Sequence, residues 1–114
     1  MSQRSDLDTL IERVNNELNN LNLELSQAME LVRKRITLFS DNILLIQLFA
    51  SLNNYDLFAQ NTTRQIQETF KCLIIDESLS DRDIQEAGED LSEQLGRILE
   101  AKIVVSNIKS RLEI

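Results

Sequence analysis

The sequence predicts an all-α protein, an antiparallel bundle of three long helices. Three observations predict this fold. The 114 residues include two glycines and no proline, whereas sheet folds need such turn residues at their hairpins. Apolar residues recur with a period of seven, in alternating steps of four and three, as in helices that pack side by side. Two short polar runs interrupt this pattern and divide the chain into three segments of similar length.

Length, composition and charge set the broad class of the protein. A chain of 114 residues with 42% hydrophobic residues can bury a core as one domain, residues 1–114. The net charge of −7 argues against nucleic acid and against an anionic membrane surface as partners. The longest apolar run, Ile43–Leu52, is far shorter than the roughly 20 residues of a membrane span. Met1–Asp8 lacks the pattern of a signal peptide, so we expect a soluble, cytoplasmic protein.

The first segment predicts a helix over about residues 6–38. Ser5 and Asp8 have the spacing of a capping box, with Asp in place of the usual Glu or Gln. Arg33–Arg35 provides the positive charge that the C-terminal end of a helix favours. This charge effect accounts for the basic run without a phosphate or lipid ligand. The apolar positions of the predicted seam are Leu7, Ile11, Val14, Leu18, Leu21, Leu25, Ala28 and Val32.

An asparagine-rich stretch, NNELNNLNLEL, lies inside this first segment. Five asparagines fall within Asn15–Asn22, and Asn is a mediocre helix former. The alternative is a strand, in which Leu21, Leu23 and Leu25 would share one face. The seven-residue repeat continues on both sides of the stretch and favours the helix, with the asparagines off the seam. Leu23 is then left on the outer side.

The second segment predicts a helix over about residues 42–76. Ser40–Asn42 contains residue types that cap helix N-termini. The repeat passes through Asn53–Asp56 without losing step, which favours one long helix. A break there would give a four-helix bundle instead. The seam positions are Leu45, Leu48, Leu52, Tyr55, Ala59, Thr62, Ile66, Thr69 and Leu73.

The third segment predicts a helix over about residues 81–113, with Ser80 and Asp83 at capping-box spacing. Gln94 is its one polar seam position. Gly88 and Gly96 either allow another helix to approach closely or lie on the exposed side. The seam positions are Ile84, Ala87, Leu91, Gln94, Ile98, Ala101, Val105, Ile108 and Leu112.

The residues needed for common catalytic or metal sites are mostly missing. The chain has no histidine, which removes the commonest general base and the commonest metal ligand. No glycine-rich phosphate loop is present. We therefore predict a protein that is not an enzyme and has no catalytic residues, cofactor or metal. Cys72 lies among apolar residues and is expected to be a small buried side chain.

The segment from Asp76 to Glu93 is strongly acidic. Within it, Glu86, Glu89, Asp90 and Glu93 have the spacing of one helix face. These four residues are a candidate acidic interface for a basic protein partner. The alternative is a solvated face whose acids are favoured near a helix N-terminus. A hard cation is a poorer match, because it prefers oxygen ligands wrapped around it.

The apolar run Ile43–Leu52 carries more apolar residues than one buried stripe requires. Leu44, Ile46 and Phe49 lie beside the seam, and together with Leu23 they form the candidate apolar interface. The predicted function is a structural or adaptor module that binds protein and forms a homodimer. The alternative is a regulatory bundle that binds a small ligand or divalent cation. The same heptads also suit open hairpins that pair between chains.

Overall fold

Three α-helices form the structure, as the computed structural model of residues 3–75 and 79–113 shows. They are α1 (Gln3–Leu38), α2 (Ile43–Ile75) and α3 (Asp81–Leu112). The molecule is long and narrow, with dimensions of 57 × 20 × 16 Å. Because the three helices pack lengthwise against one another, the predicted all-α bundle is confirmed.

The core is formed by the seam that the repeat predicts. All eight predicted seam residues of α1 are buried, and Leu21 and Val14 are completely so. The stretch 15–25 is helical, and its five asparagines are exposed. The strand alternative is therefore wrong: burial of the leucines on one side stabilises a helix whose asparagines contribute little. On α2 the buried seam includes Thr62, and on α3 it gains Leu95.

The helix ends follow local capping chemistry. Ser80 caps α3: its Oγ accepts a hydrogen bond from the Asp83 backbone N–H at 3.1 Å, and the Asp83 carboxylate accepts one from the Ser80 N–H at 3.3 Å. Asn42 caps α2, because its Oδ1 accepts from the Leu45 N–H at 3.2 Å. Ser5, in contrast, lies inside α1, which begins at Gln3. The predicted cap at Ser5 is thus wrong.

The middle helix is continuous through residues 53–56. The four-helix alternative therefore does not occur in the described chain. The predicted C-terminal end of α2 at residue 76 lies outside the described residues, as do Asp76 and Glu77 of the acidic segment.

The three helix pairs are packed to very different extents. Contact is most extensive between α1 and α3, smaller between α1 and α2, and smallest between α2 and α3. Polar contacts reinforce the first pair: Lys102 Nζ lies 3.0 Å from Glu17 Oε2, and Lys109 Nζ lies 3.6 Å from Glu24 Oε1. The similar sequence offset of these pairs means that α1 and α3 run in the same direction. The sparse contact between α2 and α3 leaves a groove between them.

Candidate protein-interaction surfaces

The four predicted apolar interface residues do not form one patch. Leu23, Leu44 and Ile46 are exposed, but Phe49 is half-buried and packs against the core. The ring of Phe49 also lies 5.8 Å from the Arg33 guanidinium carbon, close enough for a cation–π contact. Leu44 and Ile46 are two positions apart and point in nearly opposite directions on a helix. Leu23 lies on a different helix.

A larger apolar surface surrounds the connection between α1 and α2. Five large side chains there are between 49% and 73% exposed. We call this surface the apolar tip; its residues are Leu38, Phe39, Ile43, Leu44 and Ile46. Leu44 and Ile46 were predicted as interface residues and Ile43 belongs to the same apolar run, whereas Leu38 and Phe39 were not predicted, although a signal was present. Asp41 is the one charged residue between positions 36 and 55, so the connection and the first half of α2 are almost uncharged.

Backbone hydrogen bonds fix the shape of the apolar tip. The Phe39 N–H donates to the Arg35 carbonyl at 2.8 Å, and the Asn42 N–H donates to the Phe39 carbonyl at 3.1 Å. These bonds make a tight turn that places the end of α1 beside the start of α2. The apolar side chains of both helix ends are therefore brought together by a connection of four residues.

Arg35 of α1 contacts the C-terminal end of α3, which shows where that end lies relative to the apolar tip. Its Nη2 donates a hydrogen bond to the Leu112 carbonyl oxygen at 2.7 Å, in the last turn of α3. The contact satisfies a carbonyl that has no partner within its helix. The connection between α1 and α2 starts four residues after Arg35, or about 6 Å further along the axis. The apolar tip therefore extends beyond the last turn of α3.

The four predicted acidic residues are divided between two clefts. Glu86, Asp90 and Glu93 line the groove between α2 and α3, whereas Glu89 lines a separate cleft between α1 and α3. Two of them form ion pairs within α3: Glu86 lies 3.2 Å from Arg82 Nε, and Glu93 lies 2.5 Å from Arg97 Nη2. Spacing on one helix did not predict the division, because it depends on where the neighbouring helices lie.

The groove between α2 and α3 combines acidic walls with a partly apolar floor. We call it the acidic groove. Glu68 brings a carboxylate from α2, and Asp83 adds another from α3. Glu68 was not predicted from the sequence because it lies outside the acidic segment. The lining residues are Gln65, Glu68, Thr69, Cys72, Leu73, Leu79, Asp83, Glu86, Ala87, Asp90, Glu93, Gln94 and Arg97.

Two glutamines lie across the floor of the acidic groove. Gln94 Nε2 donates a hydrogen bond to Gln65 Oε1 at 3.1 Å, which links α3 to α2. The other polar atom of Gln94, its Oε1, is buried without a hydrogen-bond partner among the described residues. An unpaired buried acceptor costs about 1–3 kcal/mol.

Cys72 is exposed and lines the acidic groove. The expectation of a buried cysteine is wrong, because α2 turns this residue away from the seam towards the open side. The neighbouring Leu73 occupies the core position and is buried. Apolar neighbours in sequence did not predict burial, since adjacent residues on a helix point about 100° apart.

Two other features are absent from the residues that the structure describes. Among the residues that the structure describes, no group of three or more Cys, Asp or Glu side chains is arranged to hold a metal ion. Within the same residues, no helix combines the length and apolarity needed to cross a membrane. Comparison of the chain with protein-family models, curated proteins and solved structures found no match. The function is therefore argued from the two surfaces described above.

Proposed function

We propose that this chain is a non-enzymatic protein–protein interaction module, structural or adaptor in role, that forms a homodimer through the apolar tip. The observation that carries this proposal is the group of five exposed apolar side chains at one end of the bundle. A concentration of exposed apolar side chains marks interaction sites in folded proteins. The proposed interface is therefore the hairpin end and not one face of α2.

The scarcity of acidic residues around the apolar tip supports a second copy of the chain as the partner. The whole protein carries a net charge of −7, so most pairings of two copies would bring acidic surfaces together. Around the apolar tip, Asp41 contributes the single charge between positions 36 and 55. Two copies meeting there bury apolar area, worth about 25 cal/mol per Å², without bringing acidic surfaces together. A two-fold symmetric contact would use the same residues on both copies.

The test is the mass in solution, measured by light scattering on a sizing column over a range of concentrations. We expect the native protein to be a dimer and the Ile43→Ser/Leu44→Ser variant to be a helical monomer. Both side chains are exposed, so their replacement should leave the bundle folded. This pair is a cleaner choice than Ile46 with Phe49, because Phe49 also packs against the core.

A matched control is available on the same molecule. Leu57 on α2 and Ile103 on α3 are similarly exposed, and Leu57 lies about 20 Å along the helix from Ile43. The Leu57→Ser/Ile103→Ser variant removes the same kind of surface elsewhere and should remain a dimer. A native protein that is monomeric at every concentration, or an equal loss of dimer in both variants, would count against self-association through the apolar tip.

A further inference from the structure

The acidic groove is an unfilled position beside two antiparallel helices. Its α3 wall runs from Asp83 to Arg97, which is about 21 Å or four turns of helix. Contact between α2 and α3 is the smallest of the three helix pairs. In four-helix bundles such a position is filled by a further helix, packed nearly parallel to its neighbours.

The side chains on the floor explain why α2 and α3 do not close the groove themselves. Ala87 is small, Thr69 is short and polar, and Gln65 and Gln94 bond to each other across the gap. None of these side chains is large and apolar, so they provide little apolar area for direct contact between the helices. Leu73 and Leu79 supply an apolar strip towards one end. An apolar stripe from elsewhere would therefore pack on Leu73, Leu79 and Ala87 at that end, with the two glutamines beside it.

The charges on the walls of the acidic groove indicate which side chains should flank the apolar stripe of a bound helix. Five carboxylates and one guanidinium line the acidic groove, and the guanidinium of Arg97 is already paired with Glu93. Glu68 and Asp90 form no ion pair with any residue that the structure describes. Complementary charge steers partners to a surface and excludes wrong ones. A helix with Lys or Arg on both sides of its apolar stripe would place its charges opposite these walls.

We propose that the acidic groove binds a basic amphipathic helix of about 14 residues from a partner protein, which completes a four-helix bundle. This mode of recognition lays an apolar helix face into a groove between helices. The inference names the partner of the interaction module proposed above. It uses a different surface from the apolar tip, so one proposal can fail without the other.

The probe for the experiment is a synthetic 15-residue peptide. Its leucines are spaced to form one helical stripe, and its lysines flank that stripe on both sides. Two control peptides accompany it: one has the same composition in an order that destroys the stripe, and the other has glutamate in place of lysine. Binding is measured by calorimetry with the full chain.

Cys72 provides a local reporter of binding. It is the single cysteine of the chain, it is exposed, and it lines the acidic groove. A peptide seated in the groove should slow the reaction of this thiol with a disulfide reagent by about tenfold, as for a site open one-tenth of the time. Neither control peptide should slow it.

Adjacent acids on α3 give a matched pair of variants. Asp90 lines the acidic groove, whereas Glu89 lines the other cleft. Asp90→Lys should weaken binding of the stripe peptide about tenfold, and Glu89→Lys should change it by less than about twofold. If a reversed charge disturbs α3, as circular dichroism would reveal, the milder Asp90→Asn and Glu89→Gln variants repeat the comparison with the same order of effects.

Four results would overturn the inference. The first is binding of the stripe peptide without protection of Cys72, the second is binding no better than that of the control without a stripe, and the third is an equal loss of binding in Asp90→Lys and Glu89→Lys. The fourth is failure of the stripe peptide to bind at all. The Ile43→Ser/Leu44→Ser variant should bind the peptide as well as the native protein does, which separates this result from the oligomeric state.

Discussion

At the scale of single residues, the two glycines of α3 have different surroundings. A Cβ atom at Gly88 would lie 3.9 Å from the Leu7 side chain, which is ordinary contact, and a Cβ atom at Gly96 would have no atom within 4 Å. Gly88 therefore lies beside α1, and Gly96 lies on the outer side of the helix. Of the two predicted roles, exposure describes Gly96, and proximity to a neighbouring helix describes Gly88.

Replacement of Gly96 by alanine should stabilise the protein. Glycine inside a helix costs about 1 kcal/mol relative to alanine, and the added methyl group meets nothing. We expect Gly96→Ala to raise the free energy of unfolding in urea by about 1 kcal/mol. Ser92→Ala, at a nearby exposed position, is the control. It should raise the free energy of unfolding by at most about 0.7 kcal/mol. Destabilisation by Gly96→Ala would mean that another chain packs closely against this position.

At the scale of helices, the Asn-rich stretch of α1 distinguishes the helix that the repeat predicts from the strand alternative. A strand would place Leu21 and Leu23 on the same face, because side chains alternate with a period of two. In α1 they are unequal: Leu21 is fully buried and Leu23 is 57% exposed. The long seven-residue repeat predicted this difference, since periodicity sustained over a whole segment outweighs the preferences of a few asparagines.

The contributions of Leu21 and Leu23 to the free energy of unfolding should therefore differ greatly. Leu21→Ala should lower the free energy of unfolding by about 2–5 kcal/mol, because it leaves a cavity in the core. Leu23→Ala should change it by no more than about 0.5 kcal/mol, because the side chain is on the surface. Denaturant unfolding of both variants provides the comparison. Similar losses at both positions would contradict the helical seam, or would show that Leu23 is buried in an oligomer.

Helix periodicity also explains what the sequence did and did not predict. It predicted the buried faces of all three helices, because each face depends on spacing within one helix. It did not predict that Glu89 lies apart from Asp90, since that division depends on where the neighbouring helices lie. Cys72 was expected to be buried because of its apolar neighbours, although the repeat places Leu73 in the seam. The apolar tip was found in part only, because Leu38 and Phe39 lie where the repeat ends and periodicity gives no information.

At the scale of the whole molecule, the bundle consists of a tightly joined helix pair and a more loosely joined third helix. Contact between α1 and α3 is the most extensive, and ion pairs from Lys102 and Lys109 reach across it. The second helix contacts α1 to a smaller extent and α3 least of all. Regions with fewer contacts open at lower free energy than the global unfolding transition. The helix that borders both proposed binding surfaces is therefore the one held most weakly.

Native-state hydrogen exchange should reveal this order. We expect amides in the middle of α2, around Ala59 and Ile66, to exchange at least about tenfold faster than amides around Leu21 in α1 and Ile98 in α3. All four side chains are buried, so the comparison is made between core positions in each helix. Peptide fragments resolved by mass spectrometry are sufficient for the measurement. Equal protection in the three helices would mean that the bundle opens only as one cooperative unit.

In the expected case, the stripe peptide should slow exchange in α2 more than in α1, because a fourth helix in the acidic groove would add the contact that α2 lacks on its α3 side.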